Sequence, residues 1–170
     1  MSAIEWVDVV DEADQVVGRA SRGDVRAHNL LHRNVAVLCA DAKGRVYLHQ
    51  RSPTKDLFPS LYDVFVAGVV NEGEDYDAAA VRELSEELGI EGATPEFLFR
   101  HRYEGAKTRS HTAVYRIRWD GPVRHHDGEI VWGRFYAIDE ILGNGERWPL
   151  VPDGAEIFAR YMRREVASVP

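Results

Sequence analysis

The sequence predicts an α/β fold in which helices cover both faces of a mixed β-sheet. Apolar segments of strand length, such as 34–41 and 64–70, alternate with polar turns along the chain. One segment, 75–88, instead has the apolar spacing of a helix, and a glycine follows it. The chain has 170 residues, of which 45% are apolar, and this suits one domain with a full hydrophobic core. We therefore predict a single domain over residues 1–170.

The N-terminal part, residues 1–32, is predicted to be a hairpin extension of that domain. Residues 4–10 and 15–18 have the composition of two short strands, and the polar residues 11–14 between them suit a turn. Residues 19–32 are polar and include His28 and His32.

A second hairpin is predicted after this extension. Residues 34–41 and 45–51 both read as strands, and they flank an Ala-Lys-Gly turn. Residues 52–63 contain two prolines and are predicted to be a loop. The apolar residues 64–70 form the next strand, which leads towards the predicted helix.

The helix at 75–88 is the clearest element of the sequence. Asp75 and Asp77 are placed in its first turn, where acidic side chains interact favourably with the helix dipole. Gly89 follows the last residue, as a C-terminal cap does. The remaining predicted elements are a hairpin of strands 96–104 and 109–119, a strand at 129–137, a short helix at 138–142 and a C-terminal helix at 152–166.

Composition and charge argue against several classes of protein. The net charge is −7, whereas nucleic-acid binding requires a basic face. No segment approaches the roughly 20 apolar residues of a membrane span, and the acidic N-terminus does not resemble a signal peptide. Cys39 is the only cysteine, so no disulfide can form within the chain and a reducing compartment is expected. We expect a cytoplasmic protein that binds a small molecule and neither nucleic acid nor membrane.

Three carboxylates within the predicted helix suggest a metal site. Glu83, Glu86 and Glu87 lie at i, i+3 and i+4, so they share one sector of the helix surface. Like charges at this spacing destabilise a helix by roughly 0.2–0.5 kcal/mol per pair. A hard divalent cation such as magnesium would turn this repulsion into attraction, and a solvated acidic face is the alternative. The adjoining core-facing stripe is predicted to consist of Val81, Leu84 and Leu88.

The residues around these carboxylates form a longer pattern. Residues 68–90 read GVVNEGEDYDAAAVRELSEELGI, and every fixed position of the Nudix box is present. The chain therefore resembles the Nudix hydrolase superfamily. The resemblance implies a Nudix-type α/β/α sandwich that binds Mg²⁺, or Mn²⁺ in its place. It also implies hydrolysis of a phosphoanhydride bond in a nucleoside di- or triphosphate or a nucleoside diphosphate derivative, and it is compatible with a homodimer.

The same resemblance implies roles for single residues. The metal ligands would be the carboxylates of Glu83, Glu86 and Glu87 and the carbonyl of Gly68. Arg82 would orient a carboxylate through a forked hydrogen bond, and Glu74 would brace the loop or support the metal site. The predicted catalytic residues are accordingly Arg82, Glu86 and Glu87. Glu87 or a carboxylate from a later loop would take the proton of the attacking water.

A second resemblance, over residues 31–63, is to the isopentenyl-diphosphate isomerase branch of this superfamily. The matching residues are Leu31-His32, Gln50-Arg51-Ser52, Lys55 and Phe58-Pro59. Where that branch has a catalytic cysteine and a metal-binding histidine, this sequence has Ala67 and Val69, which can neither transfer a proton nor bind a metal. We therefore expect no isomerase activity. The isomerase and a non-catalytic nucleotide sensor are the alternative functions, and the intact box disfavours the sensor.

Residues outside the box complete the predicted site. Arg51 and Lys55 are candidates for binding the substrate's phosphates, and ordinary surface charge is the alternative. Glu129 is the candidate for a further acidic ligand or base, with a plain surface position as the alternative. For His32 and for the pair His125-His126, the sequence leaves ligand contacts and ordinary packing or solvation open.

Overall fold

The computed structural model describes residues 4–168. The strands within them are β1 (Trp6–Val10), β2 (Val16–Ser21), β3 (Leu31–Ala40), β4 (Val46–Arg51), β5 (Tyr62–Asp63), β6 (Phe65–Val69), β7 (Glu96–Glu104), β8 (Arg109–Arg118) and β9 (Ile130–Tyr136). The helices are α1 (Arg22–Ala27), α2 (Tyr76–Leu88), α3 (Ile138–Gly143) and α4 (Pro152–Ala167). None of these helices combines the length and the apolar character needed to cross a membrane.

The strand β3 lies at the centre of the mixed sheet. It pairs in parallel with β8 over its whole length, Leu31–Ala40, and antiparallel with β6 on its other side. β7 extends the sheet beyond β8, which confirms the predicted hairpin of these two strands. The N-terminal hairpin of β1 and β2 joins β3 through a pair between Val9 and His32.

The strand β4 separates from β3 soon after the turn between them. The two strands pair at Ala40 and Val46, and β4 then pairs antiparallel with β9 and with β5. The predicted hairpin of residues 34–51 is therefore wrong beyond its turn, because β6 and β8 already occupy both edges of β3. β5 also lies within residues 52–63, which were predicted to be a loop.

Helices cover both faces of the sheet, as the sequence predicts. Side chains alternate along a strand, so Val35 and Val37 of β3 face α2 and share a core with Leu84. Ala36 and Leu38 face the opposite side and share a second core with residues of α3 and α4. This confirms the predicted α/β/α class.

The polar segment 19–32 contains more structure than its sequence indicates. It includes the end of β2, all of α1 and the start of β3. Ser21 caps α1, since its hydroxyl accepts a hydrogen bond from the amide of Asp24 at 3.1 Å. Val25 is the buried residue of this short helix, so no apolar period marks α1 in the sequence.

Candidate active site

Local interactions fix both ends of α2. Asp75 is the N-cap rather than a first-turn residue, and its side chain accepts a hydrogen bond from the amide of Ala78 at 2.7 Å. A cap of this kind contributes about 1 kcal/mol. Gly89 ends the helix in the left-handed conformation, with a φ of 63°, as its predicted capping role requires. The two caps determine which residues of α2 meet the sheet.

The buried face of α2 differs from the predicted one. Val81 is 42% exposed, so its placement in the core-facing stripe is wrong, whereas Leu84 and Leu88 are buried. Glu83 and Glu87 each precede one of these leucines, and both lie on the buried face, with exposures of 7% and 3%. Two of the three predicted metal ligands are therefore inside the protein.

Gly68 of β6 allows a carboxylate of α2 to lie directly against the strand. A Cβ atom added to Gly68 would clash with the carboxylate of Glu83. Gly68 pairs with Val35 of β3, so the sheet holds its position. Close approach of the helix side chain, rather than a turn, therefore requires glycine here.

Arg82 connects the loop before α2 to the end of β6. Its Nε and Nη2 donate to the two carboxylate oxygens of Glu74 at 2.8 and 2.9 Å, and Nη2 also donates to the carbonyl of Val69 at 3.0 Å. Glu74 accepts a further hydrogen bond from the amide of Asn71 at 3.0 Å. The geometry thus contains a forked pair between Arg82 and Glu74 that braces the loop.

The guanidinium of Arg82 also contacts two of the predicted metal ligands. Its Nη1 donates to Glu83 Oε1 at 2.7 Å and to Glu86 Oε2 at 3.1 Å. Glu86 is exposed, so these two carboxylates differ in their access to solvent. The contacts offset part of the repulsion within the acidic triplet.

Burial changes the proton affinity of the two inner carboxylates. It raises the pKa of Glu87 well above its ordinary value, and the neighbouring carboxylate of Glu83 raises it further. Burial also raises the pKa of Glu83, against the opposing effect of Arg82. A cation bound between Glu83 and Glu87 would favour the charged form of both.

Glu129, which directly precedes β9, reaches the same region. Lys55 Nζ donates a hydrogen bond to Glu129 Oε2. Burial opposes ionisation of Glu129, but Lys55 outweighs it and lowers the pKa of this carboxyl. The carboxylate of Glu129 also adds to the effect of burial in raising the pKa of Glu87, so the two lie close together.

We call this region the carboxylate hollow, and Gly68 forms part of its wall. Its charged lining includes Arg22, Lys55, Arg82, Glu83, Glu86 and Glu129.

A cleft lined by basic side chains adjoins the carboxylate hollow. We call it the cationic cleft; its basic residues are Arg22, Arg26, Arg51, Lys55 and Lys107. Arg22 and Arg26 belong to α1, and Lys107 lies between β7 and β8. These three residues could not be identified from the sequence, because only the fold separates them from ordinary surface charge. The net charge of −7 therefore hides a local basic region.

Arg51 lines this cleft but also holds a loop. Its Nε donates to the carbonyl of Phe58 at 3.2 Å, and its Nη2 donates to the carbonyl of Leu57 at 2.9 Å. Phe58 has a φ of 51°, in the left-handed region that bulky residues rarely adopt. Arg51 thus stabilises a strained segment, a role that the sequence did not indicate.

Acceptor groups line the inner end of the cationic cleft. Asp63 is 3% exposed, and its Oδ1 accepts a hydrogen bond from the amide of Phe65 at 3.0 Å. Asp153, in the first turn of α4, lines the same end, and so does Asn34. Oδ1 of Asn34 is buried and has no hydrogen-bond partner within residues 4–168. This end of the cleft suits a ligand that carries hydrogen-bond donors.

The histidines that the sequence left open make protein contacts. His32 is buried in β3, and its Nδ1 lies 2.9 Å from the carbonyl of Leu30. His125 Nε2 lies 2.9 Å from the hydroxyl of Tyr47. The contact of His125 agrees with an ordinary packing role, whereas His32 also lines the cationic cleft.

The residues of the carboxylate hollow suit a hard divalent cation. Such ions take oxygen ligands, and the hollow offers the carboxylates of Glu83 and Glu86, with Glu87 beside them, above the Cβ-free backbone of Gly68. Across residues 4–168, no three carboxylate, imidazole or thiol side chains are already gathered as a cage. Arg82 bridges Glu83 and Glu86 through one nitrogen, and Lys55 pairs with Glu129.

The two positions that distinguish the isomerase branch lie beside Gly68. Ala67 and Val69 line the cationic cleft and offer no group that could transfer a proton. Cys39 lies elsewhere, 1% exposed, and burial raises the pKa of its thiol to about 12. No thiol therefore serves this site within residues 4–168, and the isomerase alternative gains no support.

Fold and site together define a class of protein, the α/β/α sandwiches in which an acidic helix faces a glycine of the sheet beside a cleft lined by basic side chains. The NUDIX domain model matches residues 30–161 of the chain. The chain belongs to the Nudix family and is a hydrolase that acts on acid anhydrides, which means cleavage of pyrophosphate bonds.

Known proteins resemble the chain over nearly all of its length. It is 47% identical over 171 residues to a Nudix hydrolase of Streptomyces coelicolor. The alignment covers 99% of this chain and 94% of that relative. A Nudix hydrolase of Yersinia pestis is 42% identical over 163 residues, with 96% and 88% covered. The crystal structure of DR0079 from Deinococcus radiodurans matches with a TM-score of 0.80 and 29% identity, over 92% of this chain and 98% of that one.

A more distant structure shows the fold alone. The NUDIX domain of NrtR from Shewanella oneidensis, solved in complex with ADP-ribose, matches with a TM-score of 0.62 and 17% identity. It covers 85% of this chain and 99% of that one.

Proposed function

We propose that the chain is a pyrophosphohydrolase that requires Mg²⁺, or Mn²⁺ in its place, and acts on nucleoside di- or triphosphates or related nucleoside diphosphates. The observation that carries the proposal is the burial of Glu83 against Gly68 and beside Glu87. Burying two carboxylates together is costly unless a cation compensates them. A bound divalent cation would polarise the phosphoryl oxygens and lower the pKa of a coordinated water.

The side chains of the site have separate tasks under this proposal. The cation is held by the carboxylates of Glu83, Glu86 and Glu87 and by the carbonyl of Gly68. Arg82 orients Glu83 and Glu86 by donating a hydrogen bond to each. Lys55 places a positive charge between the carboxylate hollow and the cationic cleft, next to the phosphates. A carboxylate oxygen of Glu87 or Glu129 accepts the proton of the attacking water.

The inner end of the cationic cleft supports a nucleoside as the attached group. Asp63, Asp153 and Oδ1 of Asn34 can accept hydrogen bonds from amino and hydroxyl groups. The ring of Phe58 adds an aromatic wall. ADP-ribose, the ligand of the Shewanella domain, is also a diphosphate with donor-bearing groups. An isoprenyl chain would leave these acceptors unpaired, which is costly.

A nucleotide panel tests the proposal. Purified protein with Mg²⁺ is expected to release phosphate or pyrophosphate or a nucleoside monophosphate from at least one nucleotide, and excess chelator is expected to stop the release. Glu87→Gln should lower kcat by about 10²–10⁴-fold, because it removes a buried charge next to the reacting groups. Glu86→Gln should also lower kcat.

Glu140→Gln is the matched control, since Glu140 is an exposed residue of α3 outside the site. It should leave kcat unchanged. If Glu87→Gln hydrolyses the substrate as fast as the wild type, the assignment of the carboxylates is wrong. Conversion of isopentenyl diphosphate to dimethylallyl diphosphate would show instead that the site runs the isomerase reaction.

A further inference from the structure

The helix α1 contributes two guanidinium groups to the cationic cleft. Arg22 and Arg26 are one helical turn apart on α1, and both line this cleft. Arg22 also lines the carboxylate hollow, together with Glu83 and Gly68. α1 therefore lies where the phosphate chain of a substrate bound at the hollow would continue.

The acidic partners of Arg22 and Arg26 are exposed to solvent. Arg26 is largely buried, with 20% of its side chain exposed, and its acidic partner Asp56 is 62% exposed. Arg22 pairs with Glu5 at 2.8 Å, and Glu5 is 57% exposed. Exposed partners of this kind contribute at most about 1 kcal/mol.

The guanidinium groups are also close enough to repel one another. Burial, followed by the positive charges of Arg22 and Arg51, lowers the pKa of Arg26 to about 10. Arg22 and Arg26 also reach His32, because their charges add to the effect of burial in lowering the pKa of that histidine. Three guanidinium groups thus converge on one cleft, and a bound polyanion would relieve their repulsion.

We propose that Arg22 and Arg26 form a subsite for the terminal phosphate of the substrate. The enzyme then prefers nucleotides with a free terminal phosphate to diphosphates that are capped by a sugar or a second nucleoside. This subsite rests on the function proposed above, because that function places the cleaved anhydride beside Glu83 and Gly68.

The chemistry of the two substrate classes supports this preference. A free terminal phosphate carries about −1.5 to −2 charges at pH 7, whereas a capped phosphate carries a single one. The planar fork of a guanidinium matches the spacing of two phosphate oxygens, so two arginines can hold a terminal phosphate from two sides. A cap on this phosphate would remove one of the oxygens that the arginines hold.

Two nucleotides that differ only in the cap test the subsite. ADP and ADP-ribose share the base, the nucleoside and the diphosphate, so the ratio of their kcat/KM values isolates the terminal group. The wild type is expected to favour ADP. Arg22→Gln and Arg26→Gln should each lower this ratio by about tenfold, as the loss of one charged hydrogen bond predicts.

Arg19→Gln is the matched control. Arg19 lies on β2, in the same N-terminal part, and forms an exposed pair with Glu72 outside the cleft. This variant should leave the ratio unchanged. Arg26→Lys keeps the charge but loses the fork, so its ratio should fall between those of the wild type and Arg26→Gln.

A binding measurement separates the subsite from the proposed function. α,β-Methylene-ADP has a free terminal phosphate and resists hydrolysis, so its Kd can be measured by calorimetry with Mg²⁺ present. Arg22→Gln and Arg26→Gln should each raise its Kd by about tenfold, and Arg19→Gln should not change it. If the wild type binds the analogue in this way but hydrolyses no nucleotide, the hydrolase proposal fails and the subsite stands.

Two other results would overturn the subsite. The first is that the wild type hydrolyses nucleotides, but Arg22→Gln and Arg26→Gln both leave two quantities unchanged. These are the ratio of the kcat/KM values for ADP and ADP-ribose and the affinity for the analogue. The second is a wild type that does not bind the analogue at all. In the first case the hydrolase function is retained without the subsite.

Discussion

The carboxylate hollow and the cationic cleft adjoin each other but are built in different ways. Gly68, Arg82 and Glu83 of the hollow come from one continuous segment, 68–90, and a strand and a helix place them. The cleft gathers Arg22, Arg51 and Lys107 from distant parts of the chain. The part of the hollow that lies in 68–90 is thus encoded by short-range spacing, whereas the cleft, like Arg22, Lys55 and Glu129 of the hollow, is assembled only once the sheet has formed. Reaction chemistry is therefore readable from the sequence, and specificity is not.

Outside the acidic triplet of α2, the largest effect is expected at the glycine of the hollow. In Gly68→Ala the new Cβ would clash with the Glu83 carboxylate, so this side chain must move. A displacement of about 1 Å in a catalytic group can cost roughly 100-fold in rate, and we expect at least that loss of nucleotide hydrolysis. The rate of phosphate release with Mg²⁺ measures it.

Gly18→Ala provides the control for this substitution. Gly18 lies on β2, and no heavy atom lies within 4 Å of a Cβ added there. Its rate should equal that of the wild type. Full activity of Gly68→Ala would mean that the contact with Glu83 has no bearing on the reaction.

The same contrast explains how much of the fold could be predicted. The α/β/α class, the N-terminal hairpin and α2 follow from periodicity and caps, which are local properties. The separation of β3 and β4 could not be predicted, because it depends on β6 and β8 pairing with β3. α1 was missed because six residues with Val25 as their buried member show no helical period.

The candidate site follows the same rule. Spacing placed Glu83 and Glu87 on one face of α2, but it could not show that this face is buried, and it wrongly assigned Val81 to the core. The convergence of Asp63 and Asp153 depends on how α4 packs against the strands, and no local pattern contains that information. The sequence therefore predicted the helix face that Glu83 and Glu87 share better than it predicted the surroundings of that face.

A change in pH should reveal the buried acid of the cleft. Burial, followed by the charge of Asp153, raises the pKa of Asp63 from 3.8 to about 7. Between pH 3.8 and about 7, the folded protein binds more protons than the unfolded chain. The free energy of unfolding therefore falls as the pH rises through this window. Asp63→Asn keeps the Oδ1 acceptor for the amide of Phe65 and removes the charge. The variant should be more stable than the wild type at pH 8 by roughly 2–4 kcal/mol, and equally stable near pH 4.

Thermal or urea unfolding from pH 4 to 8 measures this difference. Asp139→Asn, at an exposed position in the first turn of α3, is the control and should follow the wild type throughout. Parallel stability curves for the wild type and Asp63→Asn would show that Asp63 ionises normally in the folded protein.

The smallest effect concerns Arg51, which holds the loop at Leu57 and Phe58 and also lines the cationic cleft. Arg51→Lys removes the hydrogen bonds to the carbonyls of Leu57 and Phe58 but keeps a positive charge in the cleft. We expect the free energy of unfolding to fall by about 1–3 kcal/mol, because the strained conformation of Phe58 loses its support. Arg134→Lys, at an exposed position on β9, should change it little. If Arg51→Lys unfolds in urea like the wild type but has a higher KM, Arg51 binds the substrate's phosphates and does not stabilise the loop. The cleft would then resemble the hollow, because its side chains would be held for the substrate.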